Sequence, residues 1–413
     1  MIETEEKIQR ALLVCLDTGE YDAESSLREL AELTKTAGAD PAFELTQKRP
    51  APETATCLGS GMAQEAAELI AAEELDLAIF DRELTPTQIR NLEKLFGVRV
   101  IDRTILILDI FAQRARSREG KLQVELAQLR YMLPRLTGQG TALSRQGGGI
   151  GTRGPGETQL ETDRRHIRRR IASLKEQLEE SEAARQVIDR RRKKNGTVTV
   201  ALVGYTNAGK STLMNRLTQA GVLAENKLFA TLDPTARALK LPGGKTVLLV
   251  DTVGLIRRLP HHLVEAFKST LEQAAAADIL LNICDASSEE AGEHLQVTED
   301  LLRSLGAADS AVLPVLNKWD AVEDPENTLR IPGAVRISAL NGQGIEDLLA
   351  AVEDNLPNPT RDVELLLPFS KGGLAAMLKT EGAVIREEYV AEGIRLTARV
   401  DDRLYGQVRE YEL

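Results

Sequence analysis

The sequence predicts a multidomain α/β protein, and three observations carry that reading. Short apolar runs that read as buried strands alternate with helix-length segments in residues 1–100 and again from residue 197 onward. A glycine-bearing turn, in TVTVALVGYTNAGKST (197–212), joins a β-branched strand to a helix. Between these regions, two long helical patterns flank residues 137–156, which hold eight glycines. A chain of 413 residues has room for about two to four domains, each with its own core.

Composition narrows the class. Hydrophobic residues make up 42% and charged residues 28%, ordinary for a water-exposed globular chain. The longest apolar runs, such as AVLPVL (311–316), are too short to cross a bilayer, and MIETEEKIQR has no secretory pattern. No integral membrane association, a cytoplasmic location and a monomer are expected. Cys15, Cys57 and Cys284 are far apart with no CxxC spacing, so they read as reduced, structural thiols. The net charge of −11 is unevenly spread: −10 over residues 1–100, +9 over 101–196 and −10 over 197–413. A protein that coats nucleic acid would be basic throughout. One basic segment in an acidic chain suits docking a single element against a polyanion, and binding to DNA is not expected.

In residues 1–103, ALLVCL (11–16), AFELT (42–46), LAIF (77–80) and VRVI (98–101) predict strands. Residues 25–38, 63–74 and 86–97 predict helices. Gly59-Ser60-Gly61 reads as a strand-to-helix connection rather than a phosphate turn, because no Lys or Thr follows to engage a phosphate.

Residues 104–196 predict a helical hairpin. Leu108, Phe111, Ala115, Leu122, Leu126, Leu129, Leu133 and Leu136 form a seam along one long helix. A second helix repeats the spacing at Ile167, Ile171, Leu174 and Leu178, with Thr158 and Glu161 as a capping box. The glycine stretch 137–156 then lies at the tip. Gly149, Gly151 and Gly154 match G-x-G-x-x-G, but no apolar strand precedes them and Pro155-Gly156 follows, so a dinucleotide site is rejected. Arg145, Arg153, Arg164, Arg165, Arg168, Arg169 and Arg170 suit contacts to RNA phosphates and bases. A solvated helix face, partly neutralised by Glu176, Glu179, Glu180 and Glu182, is the competing reading, and composition alone leaves the two open.

Residues 197–357 carry the strongest chemistry. Gly204 to Ser211 match G-x-x-x-x-G-K-S between a strand and a helix. The candidate phosphate-binding residues are Gly204, Tyr205, Thr206, Asn207, Ala208, Gly209, Lys210, Ser211 and Thr212. In such a loop, backbone amides wrap phosphates, Lys210 reaches the β- and γ-phosphates and Ser211 holds Mg²⁺. Phe229, Ala230, Thr231, Leu232 and Asp233 form a candidate switch in which Thr231 senses Mg²⁺ and the γ-phosphate. Asp251, Thr252, Val253 and Gly254 follow the strand KTVLLV: Asp251 nears the metal through water, and the Gly254 amide meets the γ-phosphate. Asn317, Lys318, Trp319 and Asp320 end another strand. Asp320 accepts from guanine N1 and N2 hydrogens, Asn317 braces the loop and the Lys318 stem covers the ring. Ser338, Ala339 and Leu340 bring a backbone amide to guanine O6. Each tetrapeptide is weak alone, but in this order behind a P-loop they select GTP, with GDP as product, over ATP.

Leu255 stands where a Ras-like enzyme has the glutamine that orients attacking water, so intrinsic turnover is expected to be slow. His261 and His262 in the expected second switch read as solvent-facing rather than water-positioning. Asn207 either helps hold a potassium ion against the phosphates or only shapes the loop. Residues 362–413, after LPNPT, predict a strand, a helix (372–382) and two more strands, with no chemical residues. The whole is a Ras-like P-loop GTPase domain preceded by an α/β domain with a long antiparallel helical hairpin, and followed by a small α+β domain.

The chain resembles the HflX family of ribosome-associated GTPases over nearly its whole length. The resemblance is carried by FDRELTPTQIRNLE, the hairpin, the GTPase motifs and, most specifically, GGGIGTRGPGETQLETDRR from Gly147. It implies that the GTP-bound form binds the large ribosomal subunit, that the hairpin tip approaches the peptidyl-transferase region and that stalled ribosomes are split under stress. It favours ribosomal RNA as the partner of the arginine face. A nucleotide-gated assembly factor with slow timer hydrolysis is the alternative.

Overall fold

The computed structural model describes residues 8–136, 155–194, 196–218, 228–229, 235–258, 263, 275–304, 311–325, 330–357, 361–381, 383–400 and 402–413. Expectations for the hairpin tip with Arg145 and Arg153, for Ala230 to Asp233 and for His261 and His262 lie outside these residues. Spatial contacts divide the chain into two units. One holds Met1–Ala184 with Lys227–Leu232 and Arg258–Phe267, and the other Arg185–Asn226 with Asp233–Arg257 and Lys268–Leu413.

The first unit opens with β1 (Arg10–Asp17), α1 (Ala23–Ala37), β2 (Asp40–Lys48), α2 (Ser60–Ala72), β3 (Leu77–Phe80), α3 (Pro86–Phe96) and β4 (Arg99–Asp102). The strands pair in parallel in the order β2-β1-β3-β4. β1 and β3 are almost continuously apolar and buried, the signature of central parallel strands covered on both faces. Local signals set the helix ends. The Asp22 carboxylate caps α1, and a Thr85–Gln88 capping box with Pro86 starts α3. Gly59 is the backbone cap of α2 and its N–H donates to Gln47 Oε1 at 2.8 Å, in keeping with a strand-to-helix connection.

The single long helix expected from Thr104 is two helices, α4 (Arg103–Arg114) and α5 (Arg118–Arg135). The apolar seam runs through the break, but the backbone does not. Ala115 is extended, and Ser117 Oγ accepts from the Gly120 N–H at 2.8 Å, starting a new helix. α6 (Pro155–Lys194) follows. It begins three residues before Thr158, which is therefore inside the helix and not its cap; Pro155 supplies a preset φ for the first turn. Leu122, Leu126 and Leu129 of α5 pack with Ile171, Leu174 and Leu178 of α6, the hairpin seam the spacing predicts.

Buried charge is tightly compensated in this unit. Asp81, 1% exposed, accepts from Ser26 Oγ at 2.6 Å and pairs with Arg103 and Arg258 at 2.8 and 2.7 Å. Arg103 also pairs with Glu29. Phe229, expected in the first switch, is buried with its ring edge-on to Phe111 at 4.7 Å.

The second unit holds β5 (Thr199–Gly204), α7 (Lys210–Thr218), β6 (Thr235–Lys240), β7 (Thr246–Asp251), β8 (Ile279–Asp285), α8 (Ala291–Ser304), β9 (Ala311–Asn317), β10 (Val335–Arg336) and α9 (Ile345–Asp354). Its six-stranded sheet has the order β10-β9-β8-β5-β7-β6, parallel except for β6 against β7. Val200, Leu202, Leu249, Ile279, Leu281, Ile283 and Val315 form its core with Leu213 and Met214 of α7 and Leu348 and Val352 of α9. Because the central strands are parallel, their C-terminal ends lie along one edge, where phosphate-binding loops are placed.

β11 (Arg361–Leu367), α10 (Gly372–Glu381), β12 (Ala383–Val390), β13 (Gly393–Val400) and α11 (Asp402–Val408) complete the chain. The three strands form an antiparallel sheet in the order β11-β13-β12, with Val363, Leu365 and Leu367 alternating inward. The sequence reading omitted α11, whose Leu404 and Val408 join this core.

Candidate nucleotide-binding site

β5 delivers the chain to Gly204, and the loop to Gly209 leads into α7. Gly209 has φ +91°, and a Cβ there would run into Asn317 Nδ2, so backbone conformation and space both require glycine. Lys210 is buried, its Nζ donating to the carbonyls of Gly204 and Tyr205 at 3.0 and 2.8 Å. Its ammonium thus sits inside the loop that would wrap phosphates. Burial pulls its pKa down to about 8, against the opposing pull of Asp251.

Ser211 Oγ donates to Asp251 Oδ2 at 2.8 Å, bringing a hydroxyl and a buried carboxylate together from α7 and β7. Such hard oxygen donors fit Mg²⁺, which takes few protein ligands and completes its shell with phosphates and water. Thr252 is spent structurally: its hydroxyl donates to Leu202 O at 2.6 Å.

Gly254 packs against the P-loop so closely that a Cβ would lie 2.7 Å from Thr206 Cγ2 and 3.2 Å from Lys210 Nζ. The next residue completes this junction with its backbone. The Thr206 N–H donates to Leu255 O at 2.8 Å, and the Leu255 N–H donates to Gly204 O at 3.1 Å. The Leu255 side chain is buried, so it offers no polar group to a water.

At the far end, Asn317 joins two loops. Its Nδ2 donates to Ala208 O at 2.8 Å, and its Oδ1 accepts from the Ala339 N–H at 2.9 Å. The amide expected at guanine O6 is therefore held by Asn317 in this structure. Lys318 has φ +59°, and its ammonium pairs with Asp285 at 2.7 Å, which lays its stem along the loop. Arg336 stacks over Trp319 at 4.7 Å, while Asp320 is exposed. Ser338 and Ala339 are buried, and Leu340 is 75% exposed. Asn207 is exposed with φ +61°.

Three further residues support this site. Tyr205 stacks on the His294 ring at 3.8 Å, and its hydroxyl accepts the Arg257 N–H at 2.8 Å. The Arg257 guanidinium pairs with Glu290 and Glu293 at 3.0 and 2.9 Å. Arg216 reaches the Ala339 and Leu340 carbonyls. Local sequence marks neither His294 nor Arg216, because their partners are distant in the chain.

On α6, Arg165, Arg168 and Arg169 are exposed and Arg164 is half-buried. Arg168 lies 4.0 Å from Glu161, and Arg170 is clamped on Glu125. Cys15, Cys57 and Cys284 are buried free thiols, and burial pushes them up to about 11, 11 and 12. Among the described residues no helix is long and apolar enough to cross a membrane.

The chain is similar to known proteins over nearly its whole length. Residues 24–112 match the family described as GTP-binding GTPase N-terminal, 114–192 the GTP-binding GTPase middle region, and 199–318 the 50S ribosome-binding GTPase. GTPase HflX of Caldanaerobacter subterraneus subsp. tengcongensis is 50% identical over 98% of this chain and 94% of its own. GTPase HflX of Escherichia coli K12 is 44% identical over 93% of this chain and 91% of its own. A crystal structure of SsGBP with GDP aligns with 26% identity and a TM-score of 0.48, over 84% of this chain and 98% of that one. With identity this high over almost the entire length, and a P-loop, a DTVG turn and an NKWD loop on one sheet edge, the chain belongs to the HflX family of GTPases and is a GTP-hydrolysing enzyme.

Proposed function

We propose that the protein binds the large ribosomal subunit in its GTP-bound form and uses the GTPase cycle to split or rescue stalled ribosomes. The observation that carries this reading is the exposed Arg165, Arg168 and Arg169 on α6, in a chain whose residues 199–318 match a 50S ribosome-binding GTPase. Three guanidinium groups free of burial on one helix suit a phosphate backbone, and ribosomal RNA supplies one. We place this role in the cytoplasm and assign it to the monomer.

The site residues take their roles from position. Lys210 and the amides of Asn207 to Thr212 hold the β- and γ-phosphates, and Gly254 offers its amide to the γ-phosphate. Phe229 to Asp233 form the first switch, Asp251 to Gly254 begin the second, and Asn317 to Asp320 with Ser338 to Leu340 enclose guanine. Ser211 and Thr231 hold Mg²⁺, which when bound neutralises charge that develops on the phosphates. Asn207, exposed beside the phosphate cradle, either holds a potassium ion there or only shapes the loop; equal hydrolysis rates in potassium and sodium at matched ionic strength would leave it the second role. Sedimentation with large subunits in GTP-analogue and GDP states, with light scattering of intact ribosomes, tests the whole. Binding insensitive to nucleotide, or no loss of scattering with GTP, refutes it.

The second reading is an assembly factor whose slow hydrolysis is only a timer, and the buried Leu255 is compatible with both. Turnover that large subunits fail to accelerate would select it.

A further inference from the structure

The loop Ser338–Gln343 is the part of the nucleotide site that a base, rather than a phosphate, would meet. Several of its backbone groups are satisfied within the loop: the Gly342 N–H donates to Ser338 O at 2.8 Å, the Asn341 N–H to Ser338 Oγ at 3.2 Å and the Ser338 N–H to Gln343 O at 3.0 Å. The peptides around Ala339 are held from outside. The Ala339 N–H goes to Asn317 Oδ1 at 2.9 Å. The Ala339 carbonyl accepts from Arg216 Nε at 3.1 Å, and the Leu340 carbonyl accepts from Arg216 Nη2. The guanidinium lies close to the turn: a Cβ on Gly342 would stand 3.5, 3.6 and 3.8 Å from Arg216 Cζ, Nη1 and Nη2. Leu340 is 75% exposed, so burial of its side chain does not anchor this turn.

Arg216 belongs to α7, the helix whose first turn carries Lys210 and Ser211. Six residues of helix span about 9 Å, so one rigid rod connects the phosphate end of the site to the base end. Arginine suits the task because its planar fork donates in two fixed directions, which a lysine ammonium cannot reproduce. Each gripped carbonyl fixes the plane of the peptide that follows it, and hence the direction of the next N–H.

We propose that Arg216 is a specificity-positioning residue for guanine: by holding the Ala339 carbonyl, and bracing the turn through the Leu340 carbonyl, it aims the Leu340 N–H at the base O6. The proposal rests on the assignment of Ser338–Leu340 as the base-reading loop. The Arg216 guanidinium is spent on these two carbonyls, so it acts on the base through the loop. Its effect should therefore be confined to the O6 contact and spare the N1 and N2 contacts of Asp320.

The test compares the full-length protein with Arg216→Ala and Arg216→Lys, measuring equilibrium binding of GDP, 6-thio-GDP and IDP. The thio analogue keeps the N1 and N2 hydrogens but presents a weak sulfur acceptor at position 6; IDP keeps O6 but lacks the exocyclic amine. The parent should prefer GDP over 6-thio-GDP by about fivefold, the worth of one ordinary hydrogen bond. In Arg216→Ala that preference should fall to about twofold or less, while the GDP-over-IDP ratio stays within about twofold of the parent, so that only the O6 readout moves. Arg216→Lys should fall between the two. If all three nucleotides weaken together in both variants, Arg216 is only a structural brace and the proposal is overturned. It is overturned equally if the GDP-over-6-thio-GDP ratio is unchanged. If the parent shows no preference for O6, the base-loop assignment itself is wrong. Arg216 is exposed and sits on the helix surface, so the variants should fold; matching far-ultraviolet circular dichroism verifies this, and Arg216→Lys alone suffices for the comparison if Arg216→Ala does not fold.

Discussion

Arg170 grips Glu125 across the helical hairpin, with Nε and Nη2 at 2.6 and 2.7 Å from the two carboxylate oxygens. The pair is exposed, and the bidentate contact holds the Glu125 carboxyl below its ordinary range. Of the arginine run, then, Arg170 is committed to the hairpin, while Arg165, Arg168 and Arg169 face solvent.

Arg168→Glu with Arg169→Glu is expected to weaken large-subunit binding and to lower the salt slope of the binding constant by about two. GTP binding by the isolated protein should be unchanged. Arg170→Glu alone should affect binding less, and Glu125→Arg with Arg170→Glu should restore the clamp. Titrations over a salt series check both, and a double variant that binds like the parent at every salt concentration returns the arginines to a plain solvated face.

Gly254→Ala should uncouple hydrolysis from binding. The added methyl meets Thr206 Cγ2 and Cα at 2.7 and 2.9 Å, so the turn must retreat from the P-loop. With its amide displaced from the γ-phosphate, turnover should drop on the order of 10²-fold, as for loss of one preorganised donor. GDP affinity should change little, because GDP lacks that phosphate. Single-turnover hydrolysis with a parallel GDP titration decides it; equal losses in both would refute the assignment.

Lys210→Ala should weaken both GDP and GTP. The ammonium is enclosed by the Gly204 and Tyr205 carbonyls, where phosphates are to be cradled, and alanine leaves no charge to meet them. Calorimetric binding constants equal to the parent's would remove the P-loop role.

Asp320→Asn should shift base preference. The carboxylate is exposed to an incoming base, and an amide in its place trades an acceptor for a donor. Affinity for xanthosine diphosphate should rise relative to GDP in competition binding. A preference identical to the parent's would assign guanine recognition elsewhere.

His294 should make stability pH-dependent. Burial first, and the Arg257 charge second, lower its pKa from 6.5 to about 4, while Glu290 and Asp285 pull the other way and Tyr205 covers one face. The unfolded chain therefore binds a proton below pH 6.5 that the folded chain refuses. Stability should be lost as pH falls from 6.5 towards 4, by roughly 3 kcal/mol in full. His294→Phe keeps a ring against Tyr205 without the titration. Urea midpoints at pH 7 and pH 5 should fall further in the parent than in this variant, and parallel losses would exclude His294 as the cause.

Much of the fold and of the candidate site was legible without coordinates, because it rests on short-range geometry. A β-branched strand ending at Gly204, a loop closing on Gly209-Lys210-Ser211 and a helix after it form one contiguous unit whose conformation its own residues dictate. The leucine spacing of the hairpin marked a packing seam in the same local way, whereas the caps of the helices, Asp22 and Thr85 with Gln88, were found only in the structure. Tertiary structure alone decided what joins distant segments. The apolar seam could not reveal the break at Ala115–Ser117, since periodicity survives it while the Ser117 cap ends the helix. Side-chain charge could not reveal that Arg170 pairs with Glu125, 45 positions away, and Phe229 gave no sign of lying against Phe111. Arg216 meets its loop 123 positions downstream, and Tyr205 meets His294, only because the parallel sheet brings the ends of β5, β7, β8 and β9 to one edge. A pattern records which face a residue occupies; which partner fills that face is set by the packing of whole elements.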